Sequence, residues 1–182
     1  MSGAWVFVCG PSGAGKDSVI GWARKHLAGD RDVVFAQRHE TRPSCAGADR
    51  QGLGPAQFEQ LLRAGGMAWH WQAHGFQYGI ASRYRQQVDW GRVVVVNGSR
   101  EHVACVRRDG GLRVVQVTAD ATELATRLLR RGREAPAAVA SRLARNMLLD
   151  CANADLLIAN DGTLEEAGRQ LARYLECLRG TK

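Results

Sequence analysis

An α/β fold, a parallel sheet with helices on both faces, is the class this 182-residue chain predicts. Three observations predict it. An apolar run leads straight into a glycine-rich loop and then a helical pattern; short apolar runs alternate with helical segments along the chain; and four consecutive valines at 93 to 96 read as a strand buried on both faces.

The elements follow in order. Residues 4 to 9, Ala-Trp-Val-Phe-Val-Cys, form the first strand, and residues 17 to 27 carry Val19, Ile20, Ala23 and Leu27 at helical spacing. Val33 to Gln37 is a second strand. A helix over Ala56 to Ala64 begins after Gly-Pro, and Met67 to Ile80 reads as a hairpin turning near Gly75. Arg92 to Asn97 is the central strand and Leu112 to Thr118 another. Helices are expected over 121 to 131 and 137 to 150, a short strand over Asp155 to Ala159, and a last helix over 163 to 179 with Leu164, Ala167, Leu171, Leu175 and Leu178 on one face.

The loop between the first strand and helix carries the chemistry. Gly10, Pro11, Ser12, Gly13, Ala14, Gly15, Lys16, Asp17 and Ser18 spell a P-loop, the phosphate cradle of nucleoside triphosphate sites. Its glycines let successive N–H groups point inward, the helix N-terminus adds its positive end, and Lys16 can reach the β- and γ-phosphates. Asp17 stands where a Ser or Thr usually supplies a hydroxyl to Mg²⁺, so the site is atypical.

Bulk properties limit what surrounds the loop. The length suits one domain, and 45% hydrophobic content is enough for a core. No apolar stretch approaches the roughly 18 residues that span a bilayer, and the first strand begins without an apolar leader, so a cytoplasmic protein is expected. Five cysteines at 9, 45, 105, 151 and 177 form no CxxC pair and suggest neither a zinc site nor a disulfide framework. His70 and His74 would share one face of a strand without a third ligand, which favours a structural role. The net charge of +7 comes from 22 Arg and 3 Lys. The arginines cluster at 38 and 42, at 127, 130, 131 and 133, and at 142 and 145, without interleaved aromatics, which suits anionic small substrates better than nucleic acid.

The whole chain resembles the guanylate kinase-like branch of the P-loop kinases. The resemblance rests on the loop itself, Thr-Arg-Pro at 41 to 43, Tyr-Gly at 78 and 79, Arg-Leu-x-x-Arg-Gly-x-Glu at 127 to 134, Arg-Leu at 142 and 143, and Asn-Asp at 160 and 161. Within that branch it is more similar to the ribose 1,5-bisphosphate phosphokinase (PhnN) family, through Gly-Lys-Asp-Ser at 15 to 18, His-x-Thr-Arg-Pro at 39 to 43 and Val-Asn-Gly-Ser-Arg at 96 to 100. The resemblance implies an α/β P-loop NTPase fold of the nucleoside monophosphate kinase type. A single domain would carry an acceptor-binding insertion near 38–80 and a mobile lid near 127–142. It also implies ATP and Mg²⁺ as cofactors, a small phosphorylated sugar as partner, and a place in phosphonate breakdown.

Departures from guanylate kinases sharpen the substrate. Those enzymes read guanine with a glutamate on the hairpin and an aspartate ending the central strand; here Trp69 is read in the first place and Asn97 in the second. Guanine's donors would then go unpaired, at about 1–3 kcal/mol each, which disfavours GMP. Phosphate recognition by Arg38, Arg42 and Tyr78 remains, and a bis-phosphorylated pentose needs only that.

The implied reaction moves the ATP γ-phosphoryl to the 1-phosphate of ribose 1,5-bisphosphate. Lys16 and Mg²⁺ would neutralise the donor oxygens, and Arg127, Arg131 and Arg142 are the candidates for closing over the transferred group. Arg130 and Arg133 fit a solvated lid face equally well. Asn97, Ser99 and Arg100 are placed to bind the sugar hydroxyls or a phosphate, or else form a polar turn with Ser99 as helix cap. For Asp17 two readings stay open. Either it contributes to the Mg²⁺ shell, directly or through water, or it favours the helix N-terminus while Ser18 supplies a hydroxyl. Two alternatives to the sugar kinase also remain: a nucleoside monophosphate kinase, and a noncatalytic binding module of the same fold.

Overall fold

The structure, a computed structural model, describes residues 3–43, 49–73, 75–106, 111–130 and 154–180. β1 (Ala4–Cys9), β2 (Val33–Phe35), β7 (Val93–Asn97), β8 (Leu112–Thr118) and β9 (Leu156–Ala159) make one five-stranded sheet. Its order is β2-β7-β1-β8-β9 and every pairing is parallel. β1, the strand that launches the phosphate loop, lies at the centre.

Period-two alternation sends the two faces into separate cores. Val6 and Val8 of β1, with Val93 and Val95 of β7, pack under α1 (Lys16–His26) and the last helix, α6 (Leu164–Gly180). Trp5, Phe7, Val94 and Val96 face the other way. There they meet Tyr84 of α3 (Arg83–Asp89), Val103 of α4 (Arg100–Cys105), and the second sheet. The predicted helix face of Val19, Ile20, Ala23 and Leu27 is buried. On α6, Ala167, Leu171 and Leu175 are buried, whereas Leu164 is exposed because it opens the helix beside the phosphate loop. Thr163 and Glu166 close that helix start reciprocally: the Thr163 N–H reaches the carboxylate at 2.9 Å and the Glu166 N–H reaches the hydroxyl at 3.2 Å.

The insertion is a second sheet in the order β4-β3-β6-β5. β3 (Arg38–Glu40) pairs antiparallel with β6 (Phe76–Ala81), β4 (Arg50–Gly52) pairs parallel with β3, and the expected hairpin is β5 (Met67–Ala73) with β6. Gly75 at its turn has φ 77°. α2 (Pro55–Arg63) starts after Gly54 and buries Phe58. α5 (Ala121–Arg130) follows β8. The helix expected over 137–150 lies outside the described residues. No described helix is long and apolar enough to cross a membrane.

Candidate active site

The phosphate loop occupies the position its chemistry requires, between the carboxyl end of a central parallel strand and the start of α1. Gly10 has φ 149°, and a Cβ there would lie 1.9 Å from the Val117 carbonyl oxygen. Gly15 caps the helix at φ 84°, and a Cβ there would lie 2.4 Å from Asn160 Nδ2. No larger residue fits either position. Lys16 folds over the loop, its Nζ donating to the carbonyls of Gly10 at 3.1 Å and Pro11 at 3.3 Å. Burial lowers its pKa to about 8, with Asp17 opposing that shift.

A cleft of about 570 Å³ opens from the loop toward the second sheet. It brings together Gly10, Ser12, Gly13, Gly15, Lys16, Asp17, Arg38, Arg42, Tyr78, Asn97, Ser99 and Arg100, all expected as site residues. Five cationic side chains, Lys16, Arg38, Arg42, Arg50 and Arg100, face three carboxylates, Asp17, Glu40 and Glu101. The excess suits an anionic ligand. Arg38 donates to the Asn97 carbonyl at 3.1 Å and to Glu40 Oε2 at 3.2 Å, and its guanidinium lies 4.9 Å from the centroid of the Tyr78 ring. Arg42 sits over Phe76 at 5.9 Å. Burial raises the Tyr78 pKa, so its hydroxyl stays a neutral donor.

Asp17 divides its carboxylate. One oxygen accepts from the Asn97 amide at 2.8 Å and the other pairs with Arg50. Burial disfavours its charge, but Asn97, Arg50, Lys16 and Arg38 outweigh that, and its pKa falls below the ordinary carboxylate value. Ser99 occupies the N-cap of α4 without a side-chain cap bond.

Arg127 reaches the loop from a second groove, shared by Gly13, Gly15, Ser18, Asn160, Gly162 and Leu164. It donates to the Asn160 carbonyl at 3.0 Å, and Asn160 Nδ2 donates to the Ala14 carbonyl at 2.8 Å. Arg131 and Arg142 lie outside the described residues. So does His74, while His70 is exposed on β5. Among the described residues no group of three or more His, Cys, Asp or Glu is placed to hold a metal ion.

The 38% identical protein of Bradyrhizobium diazoefficiens, matched over 95% of this chain and 88% of its own length, is a ribose 1,5-bisphosphate phosphokinase PhnN. Proteins of that name from Methylobacterium radiotolerans (41% identical, 96% of this chain and 98% of theirs) and Acidiphilium cryptum (44%, 92% and 89%) match as fully. The chain belongs to the PhnN family. No family model matches it. In fold it is similar to a guanylate kinase from Anaplasma phagocytophilum, with a TM-score of 0.69 at 17% identity over 98% of this chain and 87% of that one.

In this PhnN chain the two tryptophans of the hairpin stand in different surroundings. The hairpin residue that lines the cleft is Trp71, not Trp69. The two share a face of β5, but Trp71 lies opposite Tyr78 while Trp69 lies opposite Ile80. Trp69 packs edge-on against Trp5 at 5.7 Å and Phe7 at 5.4 Å. Glu40, Arg50, Trp71 and Glu101 are cleft residues that sequence reasoning missed. Glu40 fills the variable position of His-x-Thr-Arg-Pro. Asn160 stood in a recognised motif without an assigned task.

Proposed function

We propose that this chain transfers the γ-phosphoryl group of ATP to the 1-phosphate of ribose 1,5-bisphosphate, forming 5-phospho-α-D-ribose 1-diphosphate and ADP. Membership of the PhnN family supports the reading. The single observation that carries it is the make-up of the cleft: a phosphate loop and five cationic side chains enclose one space, and the Asn97 amide and Glu40 Oε2 are engaged by Asp17 and Arg38. Such a site, with cations in excess of carboxylates, recognises phosphates before it recognises a base edge.

Donor phosphates lie on the loop N–H groups, with Lys16 leaving the carbonyls of Gly10 and Pro11 for their oxygens. Ser18, Arg127 and Asn160 border the groove on the donor side. The acceptor's phosphates take Arg38, Arg42, Arg50 and Tyr78, and its hydroxyls take Ser99 and Arg100. A 1-phosphate oxygen forms the new bond to the γ-phosphorus as the bond to the bridging oxygen of ADP breaks. That oxygen is already ionised, so no strong general base is required, and the residues serve to align two anions and neutralise them. Arg127, Arg131 and Arg142, in the lid near 127–142, close over the transferred group.

Asp17 fits a magnesium shell in its chemistry. It is an ionised carboxylate beside the loop, and Mg²⁺ in such sites takes one or two carboxylates plus substrate phosphates. Asp17 would hold the ion directly or through water. When bound, Mg²⁺ supplies positive charge to the β- and γ-oxygens.

A panel of acceptors incubated with ATP tests the reading by ADP release. Turnover with ribose 1,5-bisphosphate and none with nucleoside monophosphates supports it; turnover only with a nucleotide overturns it. Failure to bind ATP at all would instead indicate a binding module.

A further inference from the structure

Four side chains from four elements form one run of stacked groups, of which Arg38, Tyr78 and Trp71 line the cleft. The Arg38 guanidinium of β3 lies over the Tyr78 ring of β6 at 4.9 Å. Tyr78 lies 5.8 Å from Trp71 of β5 with planes 17° apart, and Trp71 lies 4.9 Å from His102 of α4 at 23°. The indole therefore stacks with a ring from β6 and a ring from α4, and it lines the cleft. Trp71 is 7% exposed, so most of its surface is packed against these neighbours. His102 is held neutral by burial, which pushes its pKa down to about 4, so the stack keeps one charge state around neutral pH.

We infer that Trp71 is the specificity-determining residue of the acceptor site: stacked with Tyr78 and His102, its indole is a fixed plate that admits a compact sugar phosphate and refuses a nucleoside phosphate. This rests on the reading of the cleft as an acceptor site. An indole presents carbon and one N–H, and no acceptor for the donors of a base; each unmet polar group lowers affinity by about tenfold. Close to the stack, the Asn97 amide serves Asp17 and Glu40 Oε2 serves Arg38, while Glu40 Oε1 is buried without a hydrogen-bond partner among the described residues; Glu101, an exposed carboxylate of the lining, lies on α4. A sugar phosphate held on Arg38 and Arg42 stays at the charged end of the stack and does not need the volume that Trp71 fills.

The test measures binding without phosphoryl transfer. Affinities for ribose 5-phosphate and for GMP are determined by calorimetry on the full chain, in the wild type and in Trp71→Gly and Trp71→Phe. The wild type should prefer the sugar phosphate. Trp71→Gly should lower that preference by about tenfold, with saturating indole restoring it by refilling the cavity, and Trp71→Phe should keep most of it. Should the glycine variant fail to fold, Trp71→Leu, apolar but not planar, is read in the same way. A folded variant lacking the indole with the wild-type preference, or a wild type that prefers GMP, would overturn the inference. Because no turnover is needed, a chain inactive on ribose 1,5-bisphosphate would contradict the proposed reaction and still give a readable ratio.

Discussion

Asn97 donates its side-chain amide to Asp17 Oδ1 at 2.8 Å, tying the end of the central strand to the first turn of the helix behind the phosphate loop. The contact orients the carboxylate and helps keep it ionised, with Arg50 on its other oxygen. Asp17→Asn preserves the volume and removes the charge. If Asp17 belongs to the magnesium shell, the concentration of Mg²⁺ giving half-maximal activity rises by about tenfold. A titration with unchanged magnesium dependence would show that Asp17 only favours the helix start and anchors Arg50.

Lys16 lays its amine on the carbonyls of the loop itself. Lys16→Met retains a similar stem and loses the charge that the transferring group needs. The expected loss is at least about 100-fold in kcat/KM, with the fold intact by circular dichroism.

Asn160 is buried and holds the loop through the Ala14 carbonyl, while its own carbonyl receives Arg127. Asn160→Ala leaves the Ala14 carbonyl without that partner. Urea unfolding should show a loss of about 1–3 kcal/mol, accompanied by a raised KM for ATP.

His102 gives the fold an acid limit. Its folded pKa lies near 4, below the ordinary 6.5, because burial comes first and His70 adds repulsion. Between those values the unfolded chain binds a proton that the folded chain does not, so stability falls as pH drops from about 6.5 toward 4. The loss is at most about 1.4 kcal/mol per pH unit and smaller after solvent screening, since the imidazole is only partly buried. His102→Phe should flatten the melting temperature over that range; an unchanged acid slope would assign it to other groups.

The parts of this molecule that were legible in sequence are those where one physical requirement dictates residue type. Gly10 and Gly15 must be glycine for their backbone and clearance, and Val93 to Val96 face a core on each side. β3 and β4 escaped notice because each has three residues, Arg-His-Glu and Arg-Gln-Gly, too few and too polar to display alternation. α3 buries only Tyr84, which leaves no helical stripe. Glu40 is 1% exposed, and what makes that tolerable is Arg38 two residues earlier, a pairing that exists only once β3 is formed. That Trp71 lines the cleft depends on the register of β5 against β6, which shifts between Met67 and Trp69 and sets Trp71 opposite Tyr78. Of the expected lid arginines, Arg127 lies beside the loop, whereas Arg131 and Arg142 fall outside the described residues.

Phosphorus NMR of the products formed from ATP, Mg²⁺ and ribose 1,5-bisphosphate tests the identity of the acceptor most directly. The 1-phosphate signal should give way to a coupled diphosphate pair while the 5-phosphate signal persists and ADP accumulates in equal amount. An unaltered sugar spectrum, together with conversion of GMP to GDP under the same conditions, would contradict the proposed transfer.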